Sequence, residues 1–429
     1  MMKKATIATA IGNLVEWYEY GIYSYTASII GAQFFPEGSK TVALLYGFAI
    51  FAISFFFRPL GGLVFGSIGD RLGRKLTLVI TILMMSLSTA AIGILPGFKT
   101  IGVLSPLLLI VFRITQGLSA GGGYIGASVF MNEVAPKGKR GLLTSILESG
   151  SLLGYVIGSA FVALLSAILS QGALESWGWR IPLVCSLPLA LVGMYLRNKL
   201  DDTPTYIKMK QENDIAKNPL LEMFKTAKKP LIVTFLAIAF ANGAYYTLLT
   251  YLPSYFETQV GLSTTQSLVV TTIGMTLMMI LFPIFGVLSD RFGKKLFLTL
   301  STVLAIVTAV PILKFVASGA SSGPLVGFFA LGIIISLFIG VFPSTLPILF
   351  PDRVRNSAYG IAYNISTAIF GGGAPFIITA LQSSTGLKLM PAYFVIGTAF
   401  LALISIIFLP PFKKEVMEQA EPFTATARE

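Results

Sequence analysis

The sequence has no histidine and a single cysteine, Cys185. It can therefore build neither a disulfide framework nor a Cys/His metal site. Without imidazole, a proton relay working near neutral pH must use carboxylates whose pKa is raised by burial. Charge is also scarce: Asp, Glu, Lys and Arg make up 12% of the 429 residues, about half the share usual in a soluble domain. So few charged groups cannot cover a water-facing surface of this size, whereas lipid tails accept apolar surface. The stretches Gly121-Gly122-Gly123 and Gly371-Gly372-Gly373 are followed by no Gly-Lys-Ser/Thr. They are not phosphate loops, and primary active transport by this chain alone is excluded. No nucleophile–base pair or metal constellation stands out, so no enzyme and no cofactor is expected. A cleavage site is missing as well: Met1 to Lys4 lead into a long apolar run and read as the start of the first span.

What the chain does have is length and hydrophobicity. Hydrophobic residues are 55% of it, with 33 Phe and 42 Gly, and the mean hydropathy is +0.80. Small residues suit packed membrane helices because they let backbones approach closely. Crossing about 30 Å of hydrocarbon takes roughly 20 apolar residues. Twelve such runs occur, over about residues 8–34, 41–68, 75–95, 104–134, 141–170, 180–199, 230–256, 265–288, 296–316, 324–350, 355–383 and 389–410. They are continuous rather than alternating, which selects helices over barrel strands. If the N-terminus is cytoplasmic, the loops on that side and the two termini hold 24 of the 31 Lys and Arg. The opposite loops hold Lys40, Lys99, Arg180, Lys314 and Lys388, while Arg58 and Arg113 fall inside spans. The positive-inside rule then places both termini in the cytoplasm. The net charge of +12 is spread among these loops and forms no basic face for nucleic acid.

The chain repeats itself. Gly66-Ser-Ile-Gly-Asp70-Arg71-Leu-Gly73-Arg74-Lys75 follows the second span, and Gly286-Val-Leu-Ser-Asp290-Arg291-Phe-Gly293-Lys294-Lys295 follows the eighth, at an offset of 220 residues. Pro136-x-x-x-Arg140 and Pro351-x-x-x-Arg355 follow the fourth and tenth spans at an offset of 215. Both offsets are about half the chain, the signature of a duplication. Six spans per repeat keep both halves in one orientation, with a site between them near midplane. The first motif suggests a cytoplasmic clasp, in which an aspartate at a helix end accepts backbone N–H groups and pairs with arginine across the loop. Its candidate members are Asp70, Arg71, Arg74, Glu133, Arg140, Asp290, Arg291 and Arg355; the bland alternative is a plain basic turn.

Gly-x3-Asp-Arg-x-Gly-Arg-Lys after the second span, partly repeated after the eighth, resembles the major facilitator superfamily. Gly12-Asn13-Leu-Val-Glu16-Trp17-Tyr-Glu19-Tyr-Gly21, Arg58-Pro59-Leu-Gly61-Gly62, Gln116-Gly117-x-Ser119-x-Gly121-Gly122 and Trp177-Gly-Trp179-Arg180-Ile-Pro182 resemble its metabolite:proton symporter family. Ser344-Thr-Leu-Pro347-x-x-Phe350-Pro351, Asn364-Ile-Ser366 and Met390-Pro391-Ala-Tyr393 look most like the proline/betaine branch. The resemblance runs over about residues 8 to 410 and implies fold and transport, while sister branches carry citrate, 2-oxoglutarate or shikimate. Two departures stand out. The family usually reads Gly-Gly-Glu-Tyr in the fourth span, where this chain has Gly122-Gly123-Tyr124, so an intramembrane carboxylate that the resemblance implies is missing. The chain ends soon after Lys414, so osmotic regulation through a long coiled-coil tail is not expected.

Ionisable groups inside spans are expensive and mark functional sites by default. Glu16 and Glu19 lie three residues apart on one face of the first span; Arg58, Arg113 and Glu148 lie at similar depth. Three carboxylates and two guanidiniums leave one carboxylate free to hold a proton. Glu16, Glu19 and Glu148 are thus candidates for proton coupling, with Arg113 beside Glu19 or Glu148 the expected switching pair; the alternative is a permanent structural ion pair. Arg58, next to Pro59 and Gly61-Gly62, reads as packing. Trp17, Tyr20, Tyr124, Tyr245, Tyr246 and Tyr251 are candidates to hold a quaternary ammonium by cation–π contact. Arg113, Asn242 and Asn364 are further substrate candidates, against the alternative that aromatics simply fill a membrane core.

The expected protein is all-α, with twelve transmembrane helices in the major facilitator fold of two six-helix bundles. Residues 1–199 and 230–429 form the bundles and 200–229 a cytoplasmic linker. The expected function is proton-coupled symport of a small polar zwitterion such as proline or glycine betaine. A carboxylate importer or a non-transporting solute sensor is the alternative. It is expected as a monomer in a bacterial inner membrane, driven by the proton gradient, with the substrate, protons and the bilayer as its partners and no nucleic acid.

Overall fold

In a computed structural model, residues 2–35, 38–72, 74–135, 138–198, 223–224, 227–351 and 355–409 are described. They form twelve helical passages. The first half contains α1 (Met2–Tyr25, continued by Ala27–Phe34), α2 (Lys40–Leu72), α3 (Arg74–Ile94), α4 (Leu104–Ala120, continued by Gly123–Val134), α5 (Arg140–Ile168) and α6 (Arg180–Val184, continued by Ser186–Asn198). The second half contains α7 (Lys228–Val260), α8 (Thr264–Phe292), α9 (Lys294–Val316), α10 (Gly323–Ile339), α11 (Arg355–Ser366 continued to Thr385) and α12 (Met390–Ile407). Nine helices among the described residues are long and apolar enough to cross a membrane, and α1, α3 and α6 complete the set. The expected linker, 200–229, lies almost wholly outside the described residues.

Helix breaks follow local chemistry. The hydroxyl of Thr26 bonds back to the carbonyl of Ile22 at 2.7 Å, and α1 is interrupted there. α4 is interrupted at Gly121-Gly122. The tenth span, expected as one helix to about residue 350, stops after Ile339. It continues as 3₁₀ turns at Phe342–Ser344 and Pro347–Leu349, because Pro343 and Pro347 have no N–H to donate. α7 and α11 each contain a π-helical stretch, Thr247–Tyr251 and Thr367–Gly372.

Packing sorts the helices into two halves. α1 lies on α5 and α6, and α4 on α2 and α3; in the second half α7 and α9 lie on α12, and α8 and α9 on α10. Small residues set the closest approaches. A Cβ on Gly117 would overlap the backbone of Ser54 on α2, and one on Gly154 the backbone of α1 around Leu14 and Tyr18. Between the halves, α5 lies along α8 and α2 against α11. The α5–α8 seam is stitched over much of its length: Ser149 Oγ to Met279 O at 2.9 Å, Ser159 Oγ to Thr272 Oγ1 at 2.7 Å, and Ser166 Oγ to Thr265 Oγ1 at 3.0 Å. Ile94, Ile168, Val307 and Ile407 are among the large apolar side chains exposed on the outside, as a lipid-facing surface requires.

Candidate functional site

The seam between the halves carries aromatic rings and buried charge. Arg58, the residue before the internal Pro59 of α2, is 1% exposed. Its Nη2 donates to Glu16 Oε1 at 3.1 Å and lies 3.4 Å from Ala120 O, while Nε and Nη1 have no hydrogen-bond partner. The guanidinium carbon lies 5.5 Å from the ring of Trp17, 5.6 Å from Tyr20 and 5.3 Å from Phe55. From the second half, Tyr246 reaches to 6.2 Å from Trp17 and 5.3 Å from Phe55. Trp17 Nε1 and the hydroxyls of Tyr20 and Tyr246 are likewise buried without a partner. Orphaned buried polar groups are rare, and here several gather on one seam. Glu16 also lines a small cavity with Ser86, Ser119 and Gly123. A side chain on Gly123 would point toward Glu16, whose Oε2 lies 3.8 Å from the Cβ position.

Arg113 behaves differently from expectation. It forms no direct ion pair with Glu19 or Glu148. Instead Nε donates to Ile50 O at 3.2 Å, Nη2 to Phe51 O at 3.0 Å and Ser54 Oγ at 2.7 Å, and Nη1 to Gln116 Oε1 at 2.7 Å. Its guanidinium stacks on Tyr23 at 4.0 Å. The guanidinium is occupied by α2 carbonyls because α2 and α4 approach so closely at Gly117. Glu19, fully buried, accepts from the hydroxyls of Ser86 and Thr89 on α3. Packing, the role expected of Arg58, therefore falls to Arg113, and the open donors belong to Arg58.

Glu148, on α5, forms a separate station. It accepts from the hydroxyl of Tyr124 on α4. Tyr124 stacks on Tyr363 of α11 with centroids 4.9 Å apart, and Tyr359 adds a further ring 5.8 Å from Tyr363. Tyr363 lies within electrostatic range of both Glu148 and Arg58. Tyr245 is buried beside Tyr246, its hydroxyl unpartnered. Asn242 is spent within the second half, donating to Thr367 Oγ1 at 2.6 Å. Asn364 donates across the seam to Gly121 O at 3.0 Å.

At the end of the seam that carries the chain termini, Asp290 accepts from the backbone N–H of Gly141, at 3.0 and 2.9 Å to its two oxygens. Gly141 belongs to the first turn of α5, where N–H groups lack intrahelical partners and the helix dipole favours a carboxylate. The cation paired with Asp290 is Lys294 at 3.8 Å, not the expected arginine: Arg291 is exposed and lies against Phe292. Lys294 also donates to Ser344 O at 3.0 Å, tying the clasp to the broken end of the tenth span. Arg140 is within electrostatic range of Asp290 and Arg355. The side chains of Asp70, Arg71, Arg74 and Glu133 lie outside the described residues.

The family model described as Major Facilitator Superfamily matches residues 9–375. The chain belongs to that superfamily. It is 36% identical over 430 residues to a glycine betaine/proline/ectoine/pipecolic acid transporter of Dickeya dadantii, covering 98% of this chain and 86% of that protein. It is 36% identical over 437 residues to a proline/betaine transporter of Escherichia coli K12, covering 100% of this chain and 87% of that protein. A proton:xylose symporter solved with 6-bromo-6-deoxy-D-glucose has the same fold, with a TM-score of 0.77 at 17% identity, over 97% of this chain and 98% of that one. The protein is thus a multi-pass membrane transporter of this superfamily. The residues that sequence reasoning passed over are Ser86, Thr89, Gln116, Tyr359, Tyr363 and Lys294. Gln116 and Lys294 stood in quoted motifs, and Ser86 and Thr89 sit three apart on one helix face, a polar stripe legible in the sequence.

Proposed function

We propose that this transporter is a proton-coupled symporter of a small zwitterion of the proline or glycine betaine kind, bound between its halves. The observation that carries the reading is Arg58, buried in rings with Nε and Nη1 unpaired. A substrate carboxylate would take those donors, since a charge-assisted fork suits a carboxylate. The ammonium end would then face Tyr363, Tyr124 and Glu148, where stacked rings and a carboxylate favour a cation. The relatives named for betaine and proline support this substrate class. Glu19, whose carboxylate accepts from the α3 hydroxyls of Ser86 and Thr89 and from no arginine, is the proton site. Gly123 brings no carboxylate from α4 to Glu16, so the Arg58–Glu16 pair is balanced and takes no proton of its own. Of the other substrate candidates, Trp17, Tyr20, Tyr245 and Tyr246 line the substrate path, while Asn242, Asn364 and Arg113 hold helices instead of binding substrate.

The chain works as a monomer in a bacterial inner membrane, without a cofactor, driven by the proton gradient. Residues 1–199 and 230–429 rock against each other about the linker 200–229. The excess of Lys and Arg on the terminal side supports cytoplasmic termini; the Asp290 clasp is then a cytoplasmic gate, which Asp70, Arg71, Arg74 and Glu133 complete in the first half. The experiment is counterflow in proteoliposomes with labelled proline, glycine betaine, citrate, 2-oxoglutarate and shikimate, with and without an inward proton gradient. Zwitterions should exchange in both conditions and accumulate only with the gradient. Accumulation of citrate or 2-oxoglutarate instead would replace the substrate, and no flux of any solute would leave a sensor.

A further inference from the structure

Between Glu19 and Arg113 runs an unbroken line of hydrogen bonds. Arg113 Nη1 donates to Gln116 Oε1 at 2.7 Å. That contact fixes the amide, so Gln116 Nε2 is the end that donates to Thr89 Oγ1 at 2.6 Å. Thr89 in turn has one hydroxyl hydrogen and two acceptors within reach, Glu19 Oε2 at 2.6 Å and Met85 O at 2.9 Å. With Glu19 ionised, the hydrogen points at the carboxylate, and every donor in the line runs from the guanidinium toward the anion. A cation and an anion are joined through two neutral groups in place of a direct salt bridge.

We propose that Thr89 and Gln116 are positioning residues that carry the protonation state of Glu19 to Arg113 and so to the substrate end of α2. The inference rests on the reading of Glu19 as the proton site. A proton taken up by Glu19 removes the acceptor at the end of the line. The Thr89 hydrogen turns to Met85 O, its oxygen accepts from the new carboxyl O–H, and the polarised line ends at a neutral group. The pull of Gln116 on Arg113 weakens. Arg113 grips α2 at Ile50, Phe51 and Ser54, and Ser54 lies one helical turn before Arg58. The proton thus reaches the substrate arginine through the hold on its helix, without contact between the two ligands. The titratable or charged groups around Glu19 are Glu16 and Tyr18 on its own helix and Arg113 on α4; Cys185 of α6 faces Tyr18. Among the described residues, α3 presents the hydroxyls of Ser86 and Thr89 to it.

The test uses the full chain in proteoliposomes with the substrate found by counterflow. Thr89→Val and Gln116→Leu keep volume and remove the line at two independent points; Thr89→Ser restores the hydroxyl. Both disruptive variants should exchange substrate within about two-fold of wild type. They should lose gradient-driven accumulation by about ten-fold, a typical coupling factor, and flatten its dependence on external pH. Thr89→Ser should recover both. If accumulation and pH profile stay as in wild type while Glu19→Gln loses accumulation, the relay is wrong and the proton site stands. If Glu19→Gln accumulates normally, the proton reading itself fails and the relay with it. If exchange falls as far as accumulation and Thr89→Ser does not recover, the line is only scaffolding and the proposal is overturned.

Discussion

Two arginines of the same chemistry end in opposite states because of what surrounds each fork. Arg113 meets four acceptors, three of them from α2, and all its nitrogens are engaged. Arg58 meets one carboxylate oxygen and one distant carbonyl, otherwise ring faces, and keeps Nε and Nη1 open. Their substitutions should therefore fail in different ways. Arg58→Ala should drop the apparent affinity for substrate by about 30-fold or more, since removing one partner of a buried charge pair costs about 2–5 kcal/mol; uptake KM checks this. Arg58→Lys should recover little, because an ammonium lacks the planar fork. Arg113→Ala should lower the melting temperature in detergent, as several buried acceptors lose a donor at about 1–3 kcal/mol each. A variant of Arg113 with unchanged melting and lost binding would reverse this assignment.

Elements matter through how closely they pack. α2 and α4 touch where Gly117 meets Ser54 and Gly61 meets Leu118, both against backbone. That closeness brings the α2 carbonyls within reach of Arg113. Gly117→Val should force the helices apart, cost about 1–3 kcal/mol from overpacking, and take transport with it. Gly122→Ala, with nothing within 4 Å of the added carbon, should be silent; size-exclusion profiles and melting curves compare the two. The π-helical stretch of α11 begins at Thr367, which accepts from Asn242 in the α-helical part of α7 just before that helix's own π stretch, and π segments recur at functional places in helices because they let a helix re-aim its side chains. Here they bring Tyr246 and Gly371 together, with the ring about 3.1 Å from the Cβ position of that glycine.

For the whole molecule the question is which contacts must break during transport. The seam between α5 and α8 is bonded from Gly141–Asp290 at one end to Ser166–Thr265 at the other, so the halves are closed on both sides of the buried charges. Alternating access requires one end to part. With Cys185 replaced by serine, a Ser166→Cys/Thr265→Cys pair should form a disulfide on oxidation and block uptake, and reductant should restore it. Full uptake in the oxidised protein would mean this end never opens. Asp290→Ala should destabilise the opposite end by about 1 kcal/mol, a typical value for a carboxylate lost from a helix N-terminus, and speed the labelling of a cysteine placed at Ser149.

The twelve spans were legible because each must satisfy its own backbone in lipid, which makes every crossing a long continuous apolar helix readable without neighbours. The duplicated motifs and buried charges were legible for the same reason, since a polar group in such a run stands out. Pairing was not legible. Glu16, Glu19, Glu148, Arg58 and Arg113 lie at similar depth, and depth alone cannot say which acid meets which base. That depended on two facts absent from any local pattern: Gly117 lets α2 approach α4 until its carbonyls occupy Arg113, and Tyr124, Tyr359 and Tyr363 converge on Glu148 only when α4, α5 and α11 assemble. The sequence determined that charge would be buried between two matching halves; tertiary packing decided which guanidinium kept unpaired donors.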